Sequence, residues 1–401
     1  MRILMISSSC SEKKYNKIIS RRTKKLLDSG QKFFLSIVDG LKTIEGINID
    51  CLTSLPISFG SYPDRLIADE DECYDNVCYH YIGCMNLPFI RTIDVGFRLR
   101  RYVKKYIKNH VDEKTVIVCD VLNAEATSVV NFAHRKDVMT VAIVTDIPSI
   151  VGKMVADKGI KALAGRWYSK KADKQMKRFD KYVLLTEQMN TICNPDGKPY
   201  LIMECIVTPH ENNNDVTPYE IPTVLYAGKF YRECGLITLA EAAAFLDGVC
   251  QIVLYGGHGD CLDELLELEK KYKNLEVHSI VPVEDIIKLE KQSTILINPR
   301  SDTEDFTKYS FPSKTAEYMM SGVPVLMYHL PGVPKEYDDY LYFISENSPQ
   351  GIAEAIKKVL FEKESARQEK AHNAKQFILS KKNMNEQSKR LVEFMIGVDK
   401  K

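Results

Sequence analysis

Lys314 and Glu317 stand three residues apart in "YSFPSKTAEYMMSGVPVL" (309–326), behind Pro312 and Ser313 and ahead of Gly322. Residues at that spacing share one face of a helix. A helix opening with Pro312 at its first position leaves the N–H groups of Ser313, Lys314 and Thr315 without intrahelical acceptors. Those donors, the positive end of the helix dipole and the Lys314 ammonium together suit a diphosphate. Glu317, one turn in, can then accept both hydroxyls of a ribose joined to that diphosphate. The same spacing also suits an exposed ion pair on an ordinary strand-to-helix connection. Gly322 fits the residue that stops the helix.

Two more segments carry cations towards the same end of their domain. "YAGKFYRECG" (226–235) leaves an apolar run through Gly228 into a loop with Lys229 and Arg232. "NPRSDTEDFTKYS" (298–310) leaves another through Arg300. One basic loop residue is ordinarily a solvated one, but three strand ends delivering cations to one rim point to an anionic ligand. No acidic cluster reads as a metal site, so those cations and the helix start are the expected partners of a diphosphate.

The elements that must hold these groups follow a repeated pattern. Val- and Ile-rich runs at 2–7, 47–52, 115–121, 139–146 and 181–186 alternate with amphipathic segments, as βαβ units around a parallel sheet do. A second series runs through 223–228, 250–257, 275–280, 294–299 and 323–328. Between them "TPHENNNDVTPYEIP" (208–222) is rich in Pro and Asn, the composition of a linker. The expected fold is α/β, two doubly wound Rossmann-like domains facing a cleft. The predicted domains are 1–207 and 208–380, with residues 381–401 forming a helix that packs back on the first domain.

With 401 residues, 45% of them apolar and 27% charged, the chain has ordinary globular composition. Eleven Cys without a C-x-x-C pair read as reduced thiols rather than a disulfide framework or a zinc site. No stretch is long and apolar enough for a membrane span or a signal peptide, so a cytoplasmic protein is expected. The net charge of +1 divides into +8 over residues 1–207 and −7 over the remainder. Within the basic half, "RLRRYVKKYIKNH" (98–110) sets Leu99, Tyr102, Val103, Tyr106 and Ile107 at helical spacing among Arg and Lys. Such a helix can lie peripherally on an anionic membrane surface, or be packed by its apolar stripe with a solvated basic face. No nucleic-acid-binding motif accompanies the charge.

From "INPR" through "YSFPSKTAEYMMSGVPVL" the second half resembles the donor domain of GT-B fold, retaining family 4-type glycosyltransferases, in particular those of bacterial surface-polysaccharide synthesis. The resemblance covers roughly 223–345 well and the first half by architecture only. It implies that Glu317 binds the nucleotide ribose and that Ser313 and Lys314 meet the diphosphate. It places Lys229 where the family commonly has a diphosphate-binding Arg. In "VTDIPS" (144–149) Thr145 replaces the His of a His-Asp pair near the reacting sugar, and Asp146 remains. Tyr309 occupies the position of the first Glu in the family's E-x7-E pattern, and Cys234 that of a second basic residue, for which Arg232 can substitute.

The function so implied is transfer of a hexosyl group from a nucleoside diphosphate sugar, with UDP the expected nucleotide, to a carbohydrate hydroxyl. Retention of configuration comes from the resemblance alone, and no metal or other cofactor is expected. The partners are the nucleotide-sugar donor and a carbohydrate or polyprenyl-linked oligosaccharide acceptor. A nucleotide-sugar epimerase of the same fold, or a non-catalytic nucleotide-sugar-binding subunit, would use the same donor groups.

Overall fold

Short Val- and Ile-rich runs form strands here because helices cover both faces of the sheets they join, and buried parallel strands require apolar residues on each face. The computed structural model describes residues 1–23, 29–150, 160–209, 216–257, 259–303 and 305–397. Its contacts divide into two compact units, Met1–Ile206 with Met384–Lys401, and Val207–Asn383. Part of the expected linker, residues 210–215, lies outside the described residues.

In the first unit the strands are β1 (Arg2–Ser7), β2 (Asn48–Ser54), β3 (Leu66–Ile67), β4 (Glu70–Tyr74), β5 (Val77–Ile82), β6 (Cys84–Met85), β7 (Thr115–Asp120), β8 (Met139–Val144), β9 (Lys181–Leu184) and β10 (Tyr200–Ile202). Eight of them form a sheet ordered β10-β9-β8-β7-β1-β2-β5-β4. All pairs are parallel except β4 with β5. The strand expected at 139–146 ends at Val144, so Thr145 and Asp146 leave the sheet in a bend.

The β4–β5 hairpin corrects one expectation. It places Cys73 and Cys78 directly opposite each other across the antiparallel pair, and they form a disulfide. The other nine cysteines are free thiols, eight of them buried. Sequence spacing concealed the pairing because a tight turn, with Asp75 at φ 47°, brings together residues five apart.

The basic amphipathic segment is the helix Ile90–Asn109. Val95, Leu99, Val103, Tyr106 and Ile107 are buried on it. At about 1.5–3 kcal/mol per buried large apolar side chain, this stripe holds the helix to the sheet and is not available to lipid. The packing alternative is therefore the one realised for Leu99, Val103, Tyr106 and Ile107.

In the second unit β11 (Thr223–Lys229), β12 (Gln251–Gly257), β13 (Leu275–His278), β14 (Ile295–Asn298), β15 (Val325–Tyr328) and β16 (Tyr342–Ile344) form one parallel sheet. Its order is β13-β12-β11-β14-β15-β16. From β11 the chain winds outward through β12 and β13, then returns to add β14 on the other side of β11. The winding direction reverses between β11 and β14, and doubly wound sheets bind ligands beyond the carboxyl ends of strands at that point. Each unit is thus a doubly wound α/β domain.

The second unit continues to Asn383, past the expected boundary at 380. The helix Glu364–Lys381 belongs to it, and Val207 bridges to Asn383 just beyond that helix. The last helix, Met384–Ile396, packs on the helix Ser29–Lys42 of the first unit. There the Ser388 hydroxyl donates to the Ile37 carbonyl at 3.1 Å, and a Cβ at Gly40 would collide with the Met384 carbonyl. Gln387 donates to the Cys205 carbonyl at 2.8 Å.

Candidate functional site

The residues expected on the donor side follow the carboxyl ends of β11 and β14. The helix after β14 runs from Ser313 to Ser321, so Pro312 is its N-cap rather than its first residue. With ψ at 99°, Pro312 is extended, and its carbonyl accepts the Thr315 N–H at 2.8 Å. No side chain caps this helix. Gly322 ends it at φ 78°, a left-handed conformation that most side chains resist.

Two contacts lock this helix to β11, and both converge on Ala227. The Ala227 N–H donates to the Tyr318 hydroxyl at 2.9 Å, and that hydroxyl lies 3.3 Å from the Ala227 carbonyl. The Lys314 ammonium donates to the same carbonyl. It also lies 5.8 Å from the centre of the Tyr226 ring. Gly228 makes room for this path. A Cβ there would stand 2.5 Å from Lys314 Cε and 2.6 Å from the Tyr226 hydroxyl. Burial lowers the Lys314 pKa, while Glu317 and then Glu290 oppose that shift. Lys314 and Glu317 therefore act on each other electrostatically, as their shared helix face requires.

The remaining donor-side residues take distinct places. Lys229 ends β11 with an exposed side chain, and its carbonyl accepts the Tyr226 hydroxyl at 2.9 Å. Ser313 is exposed at the helix start. Arg300 follows β14, its guanidinium 4.5 Å from the Phe306 ring centre. Tyr309 ends a short 3-10 turn, with the Lys308 ammonium 5.2 Å from its ring centre. Next to it, the Ser310 Oγ is buried and lacks a hydrogen-bond partner in the structure. A ligand oxygen at this helix mouth would satisfy that hydroxyl.

Arg232 points elsewhere. Its guanidinium pairs with Glu264 on the helix Leu262–Lys271, and its backbone N–H donates to Asp260 at 2.8 Å. Both side chains of that pair are about half exposed, and such surface pairs contribute little. Cys234 lies within electrostatic reach of Tyr226, Arg300 and Lys314. Burial pushes its thiol up, against the hydrogen bond to Tyr226 and the pull of Arg300 and Lys314.

Sequence reasoning missed the residues that brace this site. Tyr318 and Tyr226 hold Ala227 and Lys229. Thr315 is fully buried, and its hydroxyl lies 3.3 Å from the Asn298 side-chain nitrogen at the end of β14. The signal for Tyr318 was its place in the helix directly after Glu317. Nothing local marks Tyr226 or Asn298.

The first unit has its own polar edge at the ends of β2, β7 and β8. Asn123 donates to the Ser54 hydroxyl at 2.6 Å, while its Oδ1 and the Thr145 hydroxyl are buried without hydrogen-bond partners. Asp146 is half-buried beyond β8. Asp120, not singled out in the sequence, ends β7 in a buried position. Burial pushes its carboxyl up to about 7, the Leu122 N–H opposes this, and the Asp146 charge adds to it.

A carboxyl with a raised native pKa holds its proton where the unfolded chain has lost it. Its contribution is full below about pH 4 and is lost as pH rises to about 7. At about 1.4 kcal/mol per unit, the loss reaches up to about 4 kcal/mol. Asp120→Asn should remove this slope, so the variant gains stability relative to wild type between pH 4 and 7 and the gap levels off above. Urea unfolding at half-unit pH steps measures it. Parallel pH profiles for the two proteins would mean that Asp120 ionises normally.

Residues 211–377 match the family described as glycosyl transferases, group 1. The matched glycosyl transferase region contains every donor-side residue from Gly228 to Glu317. Solved structures extend the likeness to both units. A sucrose-phosphate synthase from Thermosynechococcus elongatus is 13% identical, with TM-score 0.61 and 100% of each chain covered. A UDP-forming alpha,alpha-trehalose-phosphate synthase from Burkholderia xenovorans, solved with glucose-6-phosphate, is 12% identical, with TM-score 0.63 over 98% of this chain and 100% of its own. HepE from Anabaena, solved with UDP, is 14% identical, with TM-score 0.60 over 99% of this chain and 100% of its own. At these identities the likeness establishes the fold, that of GT-B glycosyltransferases. A search of curated protein sequences found no match. Among the described residues no group of three or more His, Cys, Asp or Glu could hold a metal ion, and no helix is long and apolar enough to cross a membrane.

Proposed function

We propose that this chain transfers a hexosyl group from a nucleoside diphosphate sugar, with UDP as the nucleotide, to a carbohydrate hydroxyl with retention of configuration. The observation that carries the reading is the uncapped helix start, with Lys314 laid over Gly228 and Glu317 one turn behind it. As the bond from the sugar C1 to the diphosphate oxygen breaks, negative charge grows on the leaving diphosphate. The free N–H groups at Ser313 and Lys314 and the Lys314 ammonium face that charge, with Lys229 and Arg300 on the adjoining strand ends. Arg232 joins them on release from Glu264. These cations take the place of a divalent metal. Glu317 accepts the ribose hydroxyls, and Tyr309 borders the sugar.

The acceptor hydroxyl bonds to C1 on the face that the diphosphate leaves, as the C1–O bond to the diphosphate breaks, and its proton passes to the departing diphosphate oxygen. Asp146 orients that hydroxyl in the first unit, beside the unsatisfied Thr145 and Asn123 side chains. The first unit is the acceptor-binding domain and the second the donor-binding domain. The acceptor class is a carbohydrate or a polyprenyl-linked oligosaccharide, glycosylated on the cytoplasmic side in polysaccharide or glycolipid assembly. The UDP found with a structural neighbour supports the choice of nucleotide.

Calorimetric titration of UDP, GDP, ADP and dTDP in the presence of EDTA tests the donor assignment. UDP should bind without metal, and Glu317→Ala should weaken it about 10- to 100-fold, the loss of one or two hydrogen bonds to a carboxylate. Unchanged UDP affinity in Glu317→Ala would take the ribose away from Glu317. Binding that required a divalent ion would reject the metal-free site.

A further inference from the structure

The helix Ile90–Asn109 has a second apolar surface that its packing leaves in water. Ile93 is 72% exposed, Phe97 62% and Phe89 68%. Phe89 precedes the helix at φ 63°, a conformation bulky residues rarely adopt. At about 100° per residue, Ile90, Ile93 and Phe97 form one stripe opposite the buried Leu99 and Val103. The short β3–β6 ladder extends this surface sideways. Leu66 pairs directly with Met85, and both are exposed. The Met85 N–H donates to Asp94 at 2.8 Å, fixing that ladder against the helix.

Further along, the same side of the helix becomes cationic. Arg100, Arg101, Lys104, Lys105 and Lys108 are all exposed. They fall within about 140° of arc that includes the apolar stripe. Asp94 is the single acid in this helix, and Arg98 neutralises it at 3.1 Å and Asp69 at 3.6 Å. An apolar tip some 10 Å long, followed by two to three turns of cations that form no ion pair among the described residues, is a sequence of environments matching acyl chains and then anionic headgroups. An aqueous protein partner would need acidic residues set beside a deep apolar pocket to match both. The basic excess of residues 1–207, at +8, adds a long-range attraction of the same sign.

We propose that this face docks the protein on an anionic lipid bilayer, with Phe89, Ile90, Ile93 and Phe97 entering the interface and the Arg100–Lys108 cations on the headgroups. Docking of this kind is independent of donor binding and would bring the chain to a lipid-linked acceptor. The test is co-flotation of the full chain with vesicles of phosphatidylglycerol and phosphatidylcholine, or of phosphatidylcholine alone, at low and high salt. Binding should require phosphatidylglycerol and fall more than about tenfold from 50 to 500 mM salt, given roughly fivefold per cation at an anionic surface.

Ile93→Asp with Phe97→Asp, and separately Arg101→Glu with Lys104→Glu, should each reduce flotation more than about tenfold. All four positions are exposed, so the fold is retained, and calorimetric UDP affinity should not change. Absence of binding at low salt, or flotation unaffected by either double variant, would overturn the proposal. A monomer–dimer shift caused by these substitutions without vesicle binding would overturn it too and assign the face to a second copy. Loss of UDP affinity in wild type with flotation intact would count against the donor reading alone.

Discussion

Lys314→Met should lower transfer by about two to three orders of magnitude while leaving the protein folded. Met keeps the length of the Lys stem beside Gly228 and removes only the charge. The Ala227 carbonyl that Lys314 contacts retains the Tyr318 hydroxyl at 3.3 Å, so no buried acceptor is orphaned. The ammonium matters most when the departing diphosphate is fully charged, and a preorganised donor at such a position supplies about 3–4 kcal/mol. Turnover should therefore fall further than donor affinity. Steady-state kcat and KM for the donor, with circular dichroism as the check on folding, decide it. A variant with wild-type kcat would show that the helix mouth does not face the leaving group.

Gly235→Ala should be the most damaging single methyl group near the site. Gly235 lies at φ 75°, and a Cβ there would run into the Pro299 carbonyl, with the Pro299 carbonyl carbon only 2.9 Å away. The left-handed backbone costs Ala about 1 kcal/mol. The collision is with main chain that cannot swing aside without moving the exit of β14, bringing the expected loss to about 3 kcal/mol or more. Gly248, at φ 69° with open space around its Cβ position, supplies the comparison. Gly248→Ala should cost only the conformational part, about 1 kcal/mol. Urea unfolding of the two variants separates strain from collision. Because Arg300 directly follows Pro299, Gly235→Ala should also weaken UDP, whereas Gly248→Ala should not. Equal stability losses would mean that the β14 exit yields freely.

These two positions mark where the sequence was readable and where it was not. The parallel strands could be read because both their faces are covered, leaving near-continuous apolar runs such as "RILMIS" and "TVLYAG". The β4–β5 hairpin escaped because one of its strands, "EDECY", is charged and lies at the sheet edge. Its turn signal, Asp75 before Asn76, follows a run too polar to suggest a strand. Lys314, Glu317 and Gly322 were legible because helix spacing and end rules are local.

Gly228 appeared only as a loop entrance, yet its function is to admit the stem of a lysine 86 residues later. Arg232 drew notice as a cation, and the Glu264 that holds it lies 32 residues away. Tyr318 grips Ala227 across 91 residues, a contact no periodicity announces. For Asp120 the strand pattern showed an acid inside the apolar run 115–121. Whether that acid is charged depends on how much water the loops after β2, β7 and β8 exclude.

The convergence on Ala227 has a consequence for how such a chain can change over time. Every donor-side group, from Ala227 through Glu317, comes from one stretch of the second unit, and its braces, Tyr226, Asn298, Thr315 and Tyr318, come from the same stretch. On the proposed reading, substitutions in residues 1–206 retarget the acceptor while the contacts described around Ala227 stay in place. Read that way, the proposed nucleotide half is a cassette that can be inherited intact while its companion diversifies.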